Sequence, residues 1–395
     1  KVKNYRSLDY VASWFYKAAG YLKNSGTKVA FVSTNSIYQG EQASYLWTAM
    51  KNFDIYINFA HRSFIWNNEA SGQAHVHVAI CGFSKSNESE KFLYQNDSLR
   101  KVSNINCYLI PAPNIYIEPR PKPLSNVPKL VAGNKPVDGD CLKIENNDYD
   151  EFIRLEPKAT KYIKHLIGGR EFLYNEQRYV LWLPNVTMDE IKQMPLVAER
   201  VEKCRQARLN MKDAGAVALA DKPSIFRDTM NPTHYVAIPI VTSERRTYVP
   251  MGFLDENSIP TNQVQVLPNA EMYHFGILMS EFHNIWMRAV AGRLESRYRY
   301  TGKIVYNNFV WPEATSEQKE TIEKTAKTIL ITRSKYPNLS LADLYDPDRM
   351  PADLVAAHKA NDAAVEAAYG VDFDGDEEKI VAHLFKLYAE KTKEK

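Results

Sequence analysis

Cysteine is scarce in this chain. Its 395 residues hold four, Cys81, Cys107, Cys141 and Cys204, far apart and with no CxxC pair. That spacing argues against a disulfide framework and suits a reducing cytoplasm. No apolar run approaches the roughly 18–20 residues a membrane span requires, and the N-terminus carries no signal-peptide pattern. A cytoplasmic protein with no membrane partner is therefore expected. Glycine-rich phosphate cradles are missing too, with neither a GxGxxG nor a P-loop. Charge of one sign is not in excess: 50 Lys and Arg against 47 Asp and Glu leave a net charge of +3. So mild a balance does not by itself argue for nucleic acid. The chain opens on KVKNYRSLDY, without a methionine, which reads as a fragment or a processed chain.

What is present is globular. Hydrophobic residues make up 45% and charged residues 25%, and the length suits two or three domains of about 100–200 residues. Residues 4–24 place Leu8, Val11, Trp14, Phe15, Ala18 and Leu22 at helical spacing. TKVAFVS then reads as a buried strand, STNSIYQG as a polar turn, and 41–51 as a helix. FDIYINFA and AHVHVAICGF are strand-like, with HRSFIWNNEASGQ between them as a long loop. The run is too short for a complete doubly wound domain and fits the second half of one, closed by an antiparallel pair. Ligands of open α/β sheets sit beyond the carboxyl ends of such strands, where the polar turn lies.

Residues 108–140 are proline-rich and read as an extended linker or strap. DYDEFIRLEPKATKYIKHLIG reads as a helix, RYVLWL as an aromatic strand, and 187–215 as a helix that is basic in its second half. HYVAIPIV, RTYVPMGFL and IVYNNFVW are strand candidates around one amphipathic helix, FGILMSEFHNIWMRAVAGRLESRY. From Glu313 onward the chain looks helical.

Four near-motifs fall short. GFSKS lacks the closing glycine of a hydrolase elbow. DFDGDEE has alternating aspartates but no glycine at calcium-loop position six, and His383 stands where a bidentate glutamate is needed, so a solvated helix cap is the better reading. His75 and His77 share a strand face, with His61 a candidate neighbour, but no closing Cys or His set accompanies them. No metal is expected. NPTHY approaches the Asn-Pro-Pro-aromatic tetrad of amino-methyltransferases, but Thr233 breaks it and it precedes a strand, as a turn would.

Basic and aromatic residues concentrate in 170–311. Arg200, Lys203, Arg205 and Arg208 recur along one helix, and Arg245 and Arg246 lie at a strand entrance. Arg288, Arg293, Arg297, Arg299 and Lys303 interleave with Tyr298 and Tyr300. Arginine forks match phosphates and guanine edges. The competing reading is a solvated face paired to Glu190, Glu199 and Glu202.

In order along the chain, FVSTNSIYQGEQ, INFAHRSFIWNNEA…AHVHVAICGF, IGGREFLYNEQRYVLWL, IPIVTSERRTYVPMGFL, FGILMSEFHNIWMRAVAGRLESRYRYTGKIVYNNFVWP and LADLYDPDRMPADLVAAHKANDAAVEAAYG resemble one family. It is the MmeI-like single-chain restriction–modification enzymes, γ-class DNA adenine N6-methyltransferases, and the likeness spans nearly the whole chain. The resemblance implies an α/β fold class: a partial Rossmann-like methyltransferase sheet, then an α+β target-recognition domain and a helical C-terminal segment. The corresponding bounds are 1–107, a linker over 108–140, 141–312 and 313–395. The S-adenosylmethionine loop and the intact tetrad do not occur here. The resemblance therefore implies that the cofactor and the principal catalytic residues belong to a preceding part of the same polypeptide. This chain alone is expected to bind no cofactor and to be inactive.

The resemblance also places the flipped-adenine pocket. FVSTNSIYQGEQ is similar to the strand-five turn, so Asn35, Gln39 and Glu41 are candidates to orient the base. HRSFIWNNEA resembles the loop after strand six, which puts an aromatic on the base; Phe64 is the first choice and Trp66 the second. Double-stranded DNA is the implied partner. Glu281, His283 and Arg288, with Arg245, are the candidate base readers, since Glu accepts from cytosine N4 and Arg or His donates to guanine. Arg246, Arg293, Arg297, Arg299 and Lys303 are candidate DNA contacts. Trp286, Met287 and Leu294 read as core. A stand-alone specificity subunit acting with a separate catalytic chain is the alternative, and an α/β protein unrelated to DNA is a third reading.

Overall fold

A computed structural model describes residues 2, 4–22, 26–66, 76–95 and 98–393. The first layer begins with helix α1 (Ala12–Tyr21), strand β1 (Val29–Thr34), helix α2 (Gly40–Met50), and strands β2 (Tyr56–Trp66), β3 (Val76–Ser84), β4 (Lys91–Gln95) and β5 (Ser98–Val102). The sheet order is β1-β3-β2-β4-β5. β3 runs antiparallel to both β1 and β2, so those two point the same way with a reversed strand between them. α1 reaches the sheet through Phe15, fully buried and stacked on Phe83 at 5.8 Å, with Trp47 of α2 at its edge. An aromatic so placed contributes on the order of 2–3 kcal/mol by burial alone. The opposite side of α1 stays open: Trp14 and Tyr21, with Tyr10 in the turn before the helix, are exposed, and Val32 on edge strand β1 is 52% exposed.

The second layer holds β6 (Val131–Ala132), β7 (Lys143–Glu145), α3 (Asn146–Leu155), β8 (Ile163–Ile167), α4 (Gly169–Tyr174), β9 (Arg178–Leu181), α5 (Met188–Lys192), α6 (Pro195–Leu209) and α7 (Ala214–Ala218). β10 (His234–Pro239), β11 (Val241–Thr242), β12 (Gly252–Asp255), β13 (Ser258–Pro260) and β14 (Val264–Pro268) follow, then α8 (Met272–Leu278), α9 (Glu281–Val290), β15 (Gly292–Leu294) and β16 (Arg297–Arg299). Its sheets, β12-β10-β14-β6, β13-β8-β9-β7 and β11-β16-β15, are small. Residues 142–259 contain a separate core around Leu166, Val180, Val197 and Ile259. By contrast, 270–311 share one continuous core with the first sheet and with the tail helices α10 (Ser316–Ser334), α11 (Leu341–Leu344), α12 (Ala352–Tyr369) and α13 (Glu377–Lys393).

Several expectations change here. The single helix over 275–298 is instead two helices and a hairpin, α8, α9 and β15–β16. Ser280 caps α9 by accepting from the His283 N–H, and after Ala291 the chain turns into the β15–β16 hairpin with Glu295 at φ +59°. IVYNNFVW is not a strand. Residues 302–306 form a π-helical turn, and the Asn308 amide donates to the Glu118, Lys303 and Ile304 carbonyls. The proline-rich stretch straps this turn: the Arg120 N–H donates to Lys303, Leu124 N–H to Asn307, and the Tyr306 hydroxyl to the Pro128 carbonyl. Residues 157–167, expected as helix, are a 3-10 turn and β8. Before β12, 247–251 of RTYVPMGFL are irregular. β2 runs on through HRSFIW as strand rather than loop, while 67–75, and with them His75, lie outside the described residues. Leu294, expected in the core, is 48% exposed, while Trp286 and Met287 are each 1% exposed.

Candidate functional site

The first sheet, the β15–β16 hairpin and the first turn of α13 enclose a cleft of about 580 Å3. Its floor is the polar turn after β1. Asn35 lines it and donates to the Ser63 hydroxyl at 2.6 Å, tying the end of β1 to β2. Gln39 lines it from the N-cap of α2. Gly40 then takes φ +51°, and a Cβ there would stand 3.2 Å from the Gly292 backbone. A residue free of Cβ is required both by the left-handed backbone and by this approach. The turn thus faces the hairpin that opens at Gly292.

Arginines form the walls. Arg62, half-buried on β2, donates to the Leu109 carbonyl at 2.9 Å and to Gln95 at 2.5 Å. Burial lowers its pKa, and the Glu378 and Glu377 carboxylates oppose that shift. Arg288 of α9 donates to the Thr247 carbonyl at 2.8 Å and pairs with Glu377 at 3.3 Å. Arg293 lies over the Tyr298 ring at 4.1 Å and donates to the Ser296 carbonyl at 2.8 Å. Beyond it, Arg100 of β5 pairs with Glu378. Burial raises the phenol pKa of Tyr38, also lining the cleft, so that side chain is neutral.

The other expected residues divide. Glu41 is not in the cleft and accepts from Tyr45 on its own helix. Phe64 and Trp66 lie on β2 opposite Val78 and Val76, with the Phe64 ring 4.5 Å from His61; Trp66 is 49% exposed. Arg299 and Lys303 are exposed on and beside the hairpin. Arg297 pairs with Glu295 at 2.7 Å, Arg245 with Asp348, and Arg246 reaches Thr242 at 3.4 Å.

Two expected base readers are displaced. His283 has no exposure; its Nε2 meets the Tyr300 hydroxyl at 2.9 Å, and burial pushes its pKa down to about 3. It is a neutral core side chain. Glu281 is half-buried against the tail: its N–H donates to Asp362 at 2.7 Å, and burial raises its carboxyl pKa. The arginine row on α6 is structural as well. Arg208 is fully buried and donates to the carbonyls of Val137, Leu219, Lys222 and Ile225. Arg200 holds those of Cys141 and Lys143, while Lys203 and Arg205 pair with Glu199 and Glu202.

Arg62, Arg100, Glu377 and Glu378 were not singled out by pattern. Arg62 sits among the aromatics of HRSFIW, and the two glutamates follow DFDGD. There Asp376 caps α13 by accepting from the Glu378 and Lys379 N–H groups. Among the described residues no group of three His, Cys, Asp or Glu is placed to hold a metal, and no helix is long and apolar enough to cross a membrane.

The chain joins a mixed sheet, an α+β unit with its own core and a helical tail, the organisation of a modular protein in which sheet, hairpin and tail share one arginine-lined cleft. Comparison with known proteins makes this specific: residues 1–95 match the MmeI DNA-methyltransferase domain, 111–313 the MmeI target recognition domain and 314–394 the MmeI C-terminal domain, and the chain belongs to the MmeI family. It is 42% identical over 395 residues to DNA methyltransferase A of Bacillus subtilis (strain 168), covering 99% of this chain and 45% of that protein. The structure of the Type IIL restriction-modification enzyme MmeI in complex with DNA superposes with a TM-score of 0.93 at 42% identity, covering 100% of this chain and 54% of that one. The chain spans about half the length of these relatives.

Proposed function

We propose that this chain is the target-reading and base-receiving portion of a site-specific DNA adenine N6-methyltransferase of a restriction–modification system. The observation that carries the reading is the shared cleft: the turn after β1 and the strand β2 meet the arginine-bearing α9 and β15–β16 hairpin in one cavity. Two strands of one direction with a reversed strand between them support a Rossmann-like methyltransferase sheet. The open side of α1 and the exposed edge of β1 are where we place the rest of that domain.

In this reading the duplex lies along the hairpin, and the target adenine leaves the stack to enter the cleft. Extrusion costs a few kcal/mol, which contacts to base and backbone offset. The amides of Asn35 and Gln39 are assigned to the base edge, and Phe64, or Trp66 beside it, to its face, where stacking contributes about 1–3 kcal/mol. Arg62, Arg288 and Arg293 hold phosphates; Arg245, Arg246, Arg297, Arg299 and Lys303 follow the backbone or read base edges. Glu41, Phe64 and Trp66 do not line the cleft; Glu41 accepts from Tyr45 on its own helix and is given no share in the base, while the two aromatics stand on β2 beyond the cleft residues Arg62 and Ser63. S-adenosylmethionine is the methyl donor of this chemistry. The residues here do not form a holder for it, since neither its glycine-rich loop nor an intact Asn-Pro-Pro-aromatic motif occurs in the chain. We assign both to the preceding part of the polypeptide, and the chain alone is inactive.

Duplex binding measured against salt tests this. The chain should bind with a negative slope of log affinity on log salt, and Arg288→Ala with Arg293→Ala should flatten it by about 0.9 per lost contact. Binding that is unchanged in the double variant would overturn the assignment of the cleft.

A further inference from the structure

Three tail carboxylates sit on arginines at or near the cleft: Arg288 and Arg245, which the preceding proposal gives to DNA, and Arg100, which stands beside them. Glu377 and Glu378, in the first turn of α13, reach across the cleft mouth. Glu377 pairs with Arg288 at 3.3 Å, and Glu378 takes two nitrogens of Arg100, one at 2.6 Å. Asp348, between α11 and α12, pairs with Arg245. Both glutamates line the cleft beside Arg62 and Arg293. The two arginines come from different elements: Arg100 from β5 of the first sheet, Arg288 from the helix leading into the hairpin.

A two-point contact of a carboxylate with a guanidinium has the geometry of a phosphate contact. We propose that Glu377 and Glu378 are an internal phosphate mimic: the first turn of α13 latches the cleft shut, and DNA enters by exchanging its phosphates for these carboxylates. The inference rests on the DNA-reading function proposed above. The backbone favours a latch that can open. The positive-φ Asp374 and Gly375 immediately precede the helix, and both glutamate side chains keep contact with solvent, at 57% and 35%. Ion pairs whose carboxylates face solvent are individually weak, so incoming phosphates can outcompete them. The latch also sets a selectivity. A weak or isolated phosphate does not repay the exchange, whereas a duplex presenting several phosphates does. Non-specific encounters are thereby penalised more than complete ones.

The test compares the chain with the E377Q/E378Q double variant for binding to a mixed-sequence duplex over a range of salt. An E317Q/E320Q variant, whose exposed glutamates lie on α10 outside the cleft, controls for net charge. The latch predicts that E377Q/E378Q binds roughly fivefold or more tightly at low salt, with a steeper salt slope, because two arginines begin the reaction free. The control should change affinity less than twofold. Affinity that is unchanged or weaker in E377Q/E378Q, or a gain matched by the control, overturns the latch and leaves the DNA-reading function standing. No binding by any of the three proteins overturns that function, and the latch with it.

Discussion

Arg208→Met would separate a structural arginine from a DNA-binding one. The side chain is fully buried at the end of α6 and closes four carbonyls from two segments, Val137 at 2.7 Å and, in 219–225, Leu219 at 2.9 Å, Lys222 at 2.7 Å and Ile225 at 2.5 Å. Methionine fills similar volume but offers no donor. Each buried acceptor left unpaired costs about 1–3 kcal/mol, and relief from burying the guanidinium offsets part of the sum. A net loss of about 3–5 kcal/mol is expected, confined to the unit built on the 142–259 core. Because a chain of several units need not unfold in one step, the assay should be local. Hydrogen exchange across 137–225, or proteolysis there, reads that unit directly, with a fall in its melting temperature on the order of 10 °C. Lys203→Met and Arg205→Met, which break exposed pairs with Glu199 and Glu202, should stay within about 0.5 kcal/mol. If Arg208→Met kept wild-type protection and lost only DNA affinity, the structural role would be refuted.

Gly40→Ala combines a left-handed backbone with a 3.2 Å approach to Gly292. A loss of about 2 kcal/mol in thermal melts is expected, with weaker duplex binding, because the turn and the hairpin would be pushed apart. His283 has a folded pKa near 3, below its ordinary value of 6.5. Its contribution is therefore complete above pH 6.5 and lost as pH falls toward 3. Melting temperature against pH should show this acid loss, reduced in His283→Gln, and His283→Ala should lower stability without altering the preferred DNA sequence. Asp362 runs the other way. Burial lifts its carboxyl to about 7 from 3.8, despite hydrogen bonds from Tyr248 and the Glu281 N–H. Its contribution is complete below about pH 4 and lost as pH rises through 7. Asp362→Asn should thus gain on wild type as pH rises, with the two nearly equal only below about pH 4 and the variant more stable at pH 8.

How much of this was legible depended on the range of the interactions involved. The strand–turn–helix over 28–50 and the helices of the tail are local matters of periodicity and capping. Thr315 and Ser340 carry their caps three residues from the acceptors' partners, Gln318 and Asp343. IVYNNFVW shows the opposite case. Its apolar, β-branched and aromatic content favours a strand, but its backbone is satisfied by a strap about 180 residues earlier. No local pattern reports that partner. His283 failed for a related reason: α9 is buried on both sides, between the hairpin core and the tail, so a polar residue on it is a core group, here bonded to Tyr300 through Nε2, rather than a surface reader. The basic row on α6 has the composition of a groove-facing surface, yet Arg200 and Arg208 spend their donors on carbonyls that only the folded chain brings near. At the cleft, the turn residues Asn35 and Gln39 were legible from their position after a strand. Arg62 and the α13 glutamates became visible only where three distant segments meet.

The most direct test of the central claim is selection by this chain from a randomised duplex library at low and moderate salt. Enrichment of one short motif, altered or lost in Arg299→Ala while the fold is kept, is the expected result and places target reading in 141–312. Salt-sensitive binding with no motif enriched would contradict it.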